Sequence, residues 1–279
     1  MFLRLCVASL GAWFTFFVLV PNILLLAASV AHRDPDRFIR PGWTLEHYRG
    51  LFDPALASMF GHSLFLAGGA TLLCLLVAYP FAAILVQAGR KAGRRMLLLV
   101  MIPFWTNSLI RTYALMALLK ADGPLNKLLL AIGIIDQPLR LMYTPLAVFI
   151  GLTYMLLPFM VLPLYTALEG LDKTLFDAAR DLGASPWRRF RTVTLPLTMP
   201  GVVSGCMMVF LPALGMFYVP DMLGGAKGML LGNYIRDQFL TARNWPMGSA
   251  ASLAMTAAMG VMLLVYYRSL RRSGQGAAL

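Results

Sequence analysis

Six long stretches of this chain carry almost no ionisable side chains. They are residues 5–31, 54–89, 96–119, 141–168, 192–220 and 244–267. Among histidine, lysine, arginine and acidic residues, these stretches contain only His62 and Arg111. An α-helix needs about 20 largely apolar residues to cross the hydrocarbon core of a bilayer. The sequence therefore predicts an all-α integral membrane protein with about six transmembrane helices.

Composition supports a single membrane-embedded unit. The 279 residues are 59% hydrophobic and 13% charged, whereas soluble domains carry about 25% charged residues. No composition shift marks a linker, so we expect residues 1–279 to form one transmembrane domain. The first stretch is too long for a signal peptide and lacks a well-placed small-residue cleavage site. It is predicted to remain as a helix of the mature protein.

The distribution of basic residues predicts the orientation. Six crossings place loops 1–4, 89–95, 169–191 and 268–279 on one side, and these hold 13 Lys and Arg residues. The longer loops on the other side hold 10. Cytoplasmic loops are enriched in Lys and Arg. Both chain termini are therefore predicted to be cytoplasmic.

Several other functions are excluded by what the sequence lacks. The net charge is +12, and the basic residues lie mainly in the predicted loops. No basic patch is interleaved with stacking aromatics, so nucleic-acid binding is not predicted. The three cysteines and three histidines have no metal-ligand spacing. The glycine-rich stretch 224–228 lacks the Lys-Ser/Thr ending of an ATP-binding P-loop. We expect no catalytic residue, metal or cofactor in this chain, and no enzyme activity of its own.

The longest predicted cytoplasmic loop, residues 169–198, is the most informative. Thr174 and Asp177 fit a capping box that would start a helix with Thr174 as its N-cap. Gly183 is well placed to end that helix. Ser185 is a suitable cap for a second helix, with Pro186 in its first position. We predict two short helices joined by a tight turn outside the membrane.

The first of these helices has a narrow apolar stripe at helical spacing. It consists of Leu175, Ala178, Ala179 and Leu182. Small residues let another backbone approach closely, which favours a knob that seats in a groove on a partner protein. A helix lying on lipid headgroups would have the same pattern. The residues alone leave both interpretations open.

The loop resembles a motif of the permeases of binding-protein-dependent ABC importers. Asp177-Ala178-Ala179 is followed at the family's spacing by Gly183, Val193 and Leu195-Pro196. The chain departs from the family at Asp177, where Glu is usual, and at Val193, where Ile is usual. The resemblance implies a type I ABC importer permease (MetI-like) fold. It also implies that Asp177, Ala178, Ala179, Gly183, Leu195 and Pro196 couple the permease to an ATPase.

Within that family, four further stretches resemble the first permease subunit of spermidine/putrescine importers. They are residues 103–113, 156–160, 178–185 and 217–225. This implies polyamine uptake by alternating access across the bacterial inner membrane. Related permeases carry other small solutes, such as opines or metals. Without the loop motif, a self-sufficient secondary transporter or channel would fit the same spans.

The resemblance also implies the partners. They are a homologous second permease, two copies of an ABC ATPase that binds ATP and magnesium, and a soluble substrate-binding protein. The remaining partners are the polyamine and the lipid bilayer, with no nucleic acid.

Arg111 is the one fixed charge inside a predicted span. A charge within the membrane is costly and marks a functional hypothesis. A bare Arg in the path would repel a polycation, so we favour a structural role in which Arg111 pairs with a carboxylate or carbonyls, at the interface with the second permease. A gating role is the alternative.

A polyamine would need aromatic faces and a carboxylate along its path. The candidate aromatic residues are Tyr79, Trp105, Tyr113, Tyr154, Phe217 and Tyr218. Such residues also pack helices together or form interfacial belts. Asp221, after Pro220 at the outer end of the fifth span, is the acidic candidate to receive substrate. A loop aspartate without a transport role is the alternative.

Overall fold

The computed structural model describes residues 2–34, 38–225 and 230–272. The described chain divides into two compact units. The first comprises residues up to 61 together with 231–262, and the second comprises 62–230 together with the chain from 263 onward. The predicted glycine-rich stretch 224–228 and the loop 268–279 lie partly outside the described residues.

The chain is mostly helical, with one short hairpin. The α-helices are α1 (Phe2–Phe14), α2 (Val20–Ser29), α3 (Glu46–Gly50), α4 (Pro54–Gln87), α5 (Arg90–Met101), α6 (Ser108–Leu119), α7 (Pro124–Ala131), α8 (Pro145–Glu169), α9 (Lys173–Asp181), α10 (Pro186–Arg189), α11 (Leu195–Gly215), α12 (Tyr218–Gly224), α13 (Leu231–Leu240) and α14 (Trp245–Arg272). The strands are β1 (His32–Asp34) and β2 (Phe38–Arg40). Two π-helical turns (Thr15–Leu19 and Phe190–Thr194) and one 3₁₀ turn (Ile102–Trp105) join neighbouring helices.

Five continuous helices among the described residues are long and apolar enough to cross a membrane. They are Cys6–Ser29, Pro54–Gln87, Pro145–Glu169, Pro186–Gly215 and Trp245–Val265. Each overlaps one of the predicted spans, so the all-α membrane fold is confirmed. The first of them continues from α1 into α2 through a π-helical turn.

The predicted span 96–119 is not one helix. It is divided into the second half of α5, a 3₁₀ turn and α6. Pro103 has no backbone N–H to donate, and Thr106 leaves the helix with ψ 151°. The Asn107 side chain then accepts a hydrogen bond of 2.8 Å from the Leu109 N–H and starts a new helix. Prediction from charge alone missed this restart.

The predicted span 192–220 also ends early. Helix α11 stops at Gly215, Met216 is extended, and α12 begins two residues later. A helix continued through this point would set the Pro220 ring against the carbonyl of Met216, four residues earlier. In α12 the same proline lies in the first turn, where it is tolerated. Asp221 consequently lies on a separate short helix.

In the first unit, aromatic stacking joins the hairpin to the start of α14. Strands β1 and β2 pair antiparallel with Arg33 opposite Ile39. The Phe38 ring stacks on Trp245 with centroids 5.5 Å apart. The Arg33 guanidinium donates to the Ala242 carbonyl at 3.0 Å. These contacts fix the loops at one end of the helices in this unit.

The core of the second unit lies along α8 and α11. Leu152, Leu156 and Met160 on α8 are fully buried. Gly201 of α11 has no room for a side chain beside Ala167 and the Pro163 carbonyl. Glycines at a helix crossing let two backbones approach closely, which is how membrane helices commonly pack. This rigid pair carries the residue 169–198 segment, which connects α8 to α11.

Candidate functional site

Helix α9 begins two residues earlier than the capping box predicted. Asp172 is the N-cap, and its carboxylate accepts a 3.0 Å hydrogen bond from the Thr174 N–H. The prediction of Thr174 as the cap is wrong, because an aspartate two residues earlier reaches that same N–H first. This backbone bond holds the pKa of Asp172 below its ordinary value. The cap is therefore intact at neutral pH and weakens only as the pH falls through that lowered pKa.

Gly183 ends α9 as predicted. Its φ of +71° lies in the left-handed region that favours glycine. The Gly183 N–H donates to the Arg180 carbonyl at 2.9 Å, and the Ala184 N–H donates to the Ala179 carbonyl at 3.0 Å. This pair of bonds is a Schellman motif. It turns the chain sharply towards α10.

Ser185 caps α10, and Pro186 is in its first turn, as predicted. The Ser185 hydroxyl accepts a 3.3 Å hydrogen bond from the Arg188 N–H. The expectation of a separate second helix is wrong, however. Helix α10 continues through the π-helical turn Phe190–Thr194 into α11, so that Pro186–Gly215 is one helix. Any displacement of α10 is therefore applied directly to a membrane-crossing helix.

Part of the predicted apolar stripe on α9 points away from the chain. Leu182 is 87% exposed and Leu175 is 44% exposed. Ala178 lies between them and is also exposed, whereas Ala179 is half-buried. Two exposed leucines around a small residue, outside the long apolar spans, form an uncovered apolar face. We call Leu175, Ala178 and Leu182 the outer face of α9.

The opposite side of the segment borders an open groove of about 1120 Å³. Asp177 and Leu195 line this groove, together with residues of α4 and the end of α8. Pro196 is exposed at the start of α11. All six predicted coupling residues thus lie on one segment, held at its two ends by α8 and α11.

A row of aromatic rings crosses from this segment to α4. Trp187 stacks on Phe190 with centroids 5.5 Å apart. Phe190 meets the ring of Tyr79 edge-on, also at 5.5 Å. The Tyr79 hydroxyl lies 2.9 Å from the Thr198 hydroxyl. Tyr79, predicted as a possible substrate contact, therefore faces the 169–198 segment. The i, i+3 spacing of Trp187 and Phe190 was the available sequence signal for this row.

Arg111 lies on α6 against the ring of Phe104. Its guanidinium carbon is 4.6 Å from the centre of the Phe104 ring, and Phe104 meets Phe159 of α8 edge-on at 5.0 Å. The Arg111 Nε atom is buried and has no hydrogen-bond partner among the described residues. No carboxylate of the described chain is paired with it. Its cationic group is held by a cation–π contact instead.

Asp221 is exposed on α12, beside two aromatic residues. Phe217 and Tyr218 precede it by one helical turn, with their rings edge-on at 6.1 Å. Residues spaced by three or four lie on one face of a helix. Helix α12 is fixed against α8, where a side chain at Gly151 would overlap Val219 and Leu223. The carboxylate and rings are thus presented by a firmly packed helix.

The other predicted path residues are exposed on neighbouring elements. Trp105 is 82% exposed on the 3₁₀ turn, Tyr113 is 59% exposed on α6, and Tyr154 is 43% exposed on α8. Neither these three nor Arg111, Tyr218 or Asp221 lines the groove beside the 169–198 segment. Among the described residues, no group of three or more His, Cys, Asp or Glu side chains could hold a metal ion.

Comparison with known proteins gives one consistent result. The model of the family described as binding-protein-dependent transport system inner membrane component matches residues 75–277. The spermidine/putrescine transport system permease protein PotB of Haemophilus influenzae is 50% identical over 96% of this chain and 94% of that protein. PotB of Escherichia coli is 49% identical over 95% of this chain and 96% of that protein.

A more distant relative and a solved structure extend the comparison. The inner membrane ABC transporter permease protein YdcU of Escherichia coli is 31% identical over 86% of this chain and 79% of that protein. The crystal structure of a bacterial ABC transporter that imports the acidic polysaccharide alginate includes a chain with the same fold. The TM-score is 0.74 at 18% identity, over 97% of this chain and 95% of that one.

Proposed function

Because this chain belongs to the binding-protein-dependent transport system inner membrane components, we propose that it forms half of a polyamine path across the membrane. It is the permease subunit of an ABC importer. We place it in the bacterial inner membrane as a multi-pass protein with both termini in the cytoplasm. In this arrangement the 169–198 segment faces the cytoplasm, where an ATPase can reach it.

The main support for the coupling role is the exposure of the outer face of α9. Leu182 and Leu175 are exposed on a helix that is capped at both ends and anchored between α8 and α11. Burying an exposed leucine side chain on a partner contributes about 1.5–3 kcal/mol. We infer that the ATPase covers this face, with Ala178 allowing close approach. Helix α10, which follows α9 after a tight turn and continues directly into α11, can then transmit the movement of the ATPase.

The proposed mechanism is alternating access. A soluble binding protein delivers the substrate, and two ATPase subunits close on ATP and magnesium. Their closure moves the α9 helices of this chain and of a homologous second permease. The path lies between the two permeases, which agrees with the position of the candidate path residues other than Tyr79 outside the groove beside the 169–198 segment. The cofactors belong to the ATPase, and this chain supplies the path and one coupling helix.

The substrate proposal depends on the similarity to PotB and on the surface of α12. Polyamines are linear cations, and a carboxylate beside aromatic faces is suited to alkylammonium groups. Asp221, Phe217 and Tyr218 provide this combination on one helix face. We propose Tyr218 and Asp221 as the residues that receive the cation. Trp105, Tyr113 and Tyr154 remain candidates farther along the path.

Uptake competition tests the substrate class. Proteoliposomes containing the complete importer, with its binding protein added outside and ATP supplied, should take up labelled spermidine or putrescine. Excess unlabelled polyamine should suppress the signal, whereas an opine, ferric iron or thiamine should not. Uptake of a labelled opine, ferric iron or thiamine by the same proteoliposomes, with no uptake of polyamine, would reassign the substrate.

Arg111 is proposed to support the junction with the second permease. Its Nε atom is enclosed by this chain, but the residue as a whole is only half-buried, so a hydrogen-bond acceptor on the neighbouring permease would bind its terminal guanidinium nitrogens. We expect Arg111→Leu to lower the amount of second permease that co-purifies by about tenfold, because it leaves that buried acceptor without its donor. Arg140→Leu, the same change at an exposed arginine, should leave co-purification unchanged. Normal assembly with lost transport would instead assign Arg111 to gating.

A further inference from the structure

Two points at which helices bend easily lie beside each other in the second unit. In α4, Pro80 lacks an N–H, so the Leu76 carbonyl loses its helical hydrogen bond. In the helix Pro186–Gly215, the turn Phe190–Thr194 is π-helical. Prolines and π-turns are the usual places where helices kink, and π-turns are frequent at functional sites. Both interruptions border the groove beside the 169–198 segment.

Tyr79 connects these two points. It immediately precedes Pro80, and its ring meets Phe190, the first residue of the π-turn, at 5.5 Å. Phe190 is in turn stacked on Trp187, which is 70% exposed. The row of rings thus runs from the surface of the segment to the proline of α4.

The Tyr79 hydroxyl adds a directional bond to the same helix. Thr198 is fully buried, and its hydroxyl is 2.8 Å from the Thr194 carbonyl and 3.3 Å from the Leu195 carbonyl. Because a threonine hydroxyl has one hydrogen, and carbonyls only accept, that hydrogen is donated within the helix. The Tyr79 O–H must therefore donate to the Thr198 oxygen across the 2.9 Å contact. Tyr79 therefore contacts the helix Pro186–Gly215 at two points, by its ring at the start of the π-turn and by its hydroxyl beyond the end of that turn.

We propose that Tyr79 is a positioning residue that transmits displacement of the 169–198 segment to α4, which bends at Pro80. This inference rests on the proposed coupling role of the segment. Pressure on α9 and Trp187 moves Phe190, and the ring contact and hydrogen bond make α4 follow. Without Tyr79, the segment and α11 move while α4 stays behind. ATP hydrolysis then continues without opening the path fully.

The test measures substrate transported per ATP hydrolysed by the complete importer in proteoliposomes. We expect Tyr79→Leu to lower this ratio by at least about fivefold, within the usual range of coupling between distant sites, while ATP hydrolysis stays within about twofold of the parent. Tyr79→Phe removes only the hydrogen bond to Thr198, and Thr198→Val removes that bond together with the bond from the Thr198 hydroxyl to the Thr194 carbonyl. Each should lower the ratio by about twofold. Phe65→Leu is the matched control, because Phe65 makes an edge-on contact from α4 to Phe149, away from the segment. Its ratio should equal that of the parent.

Two results would overturn the inference. One is an unchanged ratio in Tyr79→Leu, and the other is a proportional loss of hydrolysis and transport, which indicates general damage. If Tyr79→Leu does not assemble, the inference is tested with Tyr79→Phe and Thr198→Val instead. An unchanged ratio of substrate transported to ATP hydrolysed in both variants rejects it. A parent complex without ATP-driven uptake would instead reject the proposed function itself. The two failures are therefore distinguishable.

Discussion

A Leu182→Asp variant is expected to purify without its ATPase, although it should still insert in the membrane and pair with the second permease. Leu182 is the most exposed residue of the outer face of α9, at 87%. The change removes apolar contact and places an unpaired carboxylate in the interface, at a combined cost of about 3 kcal/mol or more. This corresponds to at least about a hundredfold weaker binding. Titration of detergent-solubilised permease pair with purified ATPase measures the loss.

The control for this prediction is the same substitution at another exposed leucine. Leu240 ends α13 and is 72% exposed, and our orientation places it on the opposite side of the membrane. Leu240→Asp should leave the affinity for the ATPase unchanged. If Leu182→Asp binds the ATPase as tightly as the parent, then the outer face of α9 is not the docking surface.

An Asp221→Asn variant is expected to lose at least about nine-tenths of polyamine uptake while its ATPase stays bound. The amide keeps the shape of the side chain but removes the negative charge, and a charge-assisted hydrogen bond contributes about 1.5–3 kcal/mol. Uptake is measured as the initial rate at a polyamine concentration below saturation.

Asp136→Asn is the matched control, because Asp136 is another exposed aspartate, in the loop between α7 and α8. It should transport at the parental rate. Unchanged uptake by Asp221→Asn would remove Asp221 from the substrate path. A loss of the same size in Asp136→Asn would point to a general effect of surface charge on the binding protein.

The membrane fold could be predicted from charge distribution because bilayer insertion depends on length and polarity, and both can be read directly. The interruptions at Pro103 and at Gly215 could not, because prolines occur within α4, α8 and α11 without ending these helices. Whether a helix continues past a proline depends on whether neighbouring groups donate hydrogen bonds to the carbonyls that the proline leaves unpaired. At Asn107 a local cap decided the outcome.

In the 169–198 segment, too, local features were predictable from the sequence and long-range contacts were not. The end of α9 at Gly183 and the cap at Ser185 follow from local chemistry, and they were predicted from spacing. The cap at Asp172 was missed because two residues competed for one N–H. The contacts of Tyr79 with Phe190 and Thr198 join residues more than 100 positions apart. No local pattern indicates them, so the connection from the segment to α4 emerged only from the structure.

We expect this chain to transport substrate only as part of an ATP-driven complex. The most direct measurement is polyamine accumulation by proteoliposomes that contain the chain alone or with the second permease, ATPase and binding protein. We predict accumulation only in the complete system and only with hydrolysable ATP. Accumulation by the chain alone, driven by an ion gradient without ATPase, would contradict the account and identify a secondary transporter.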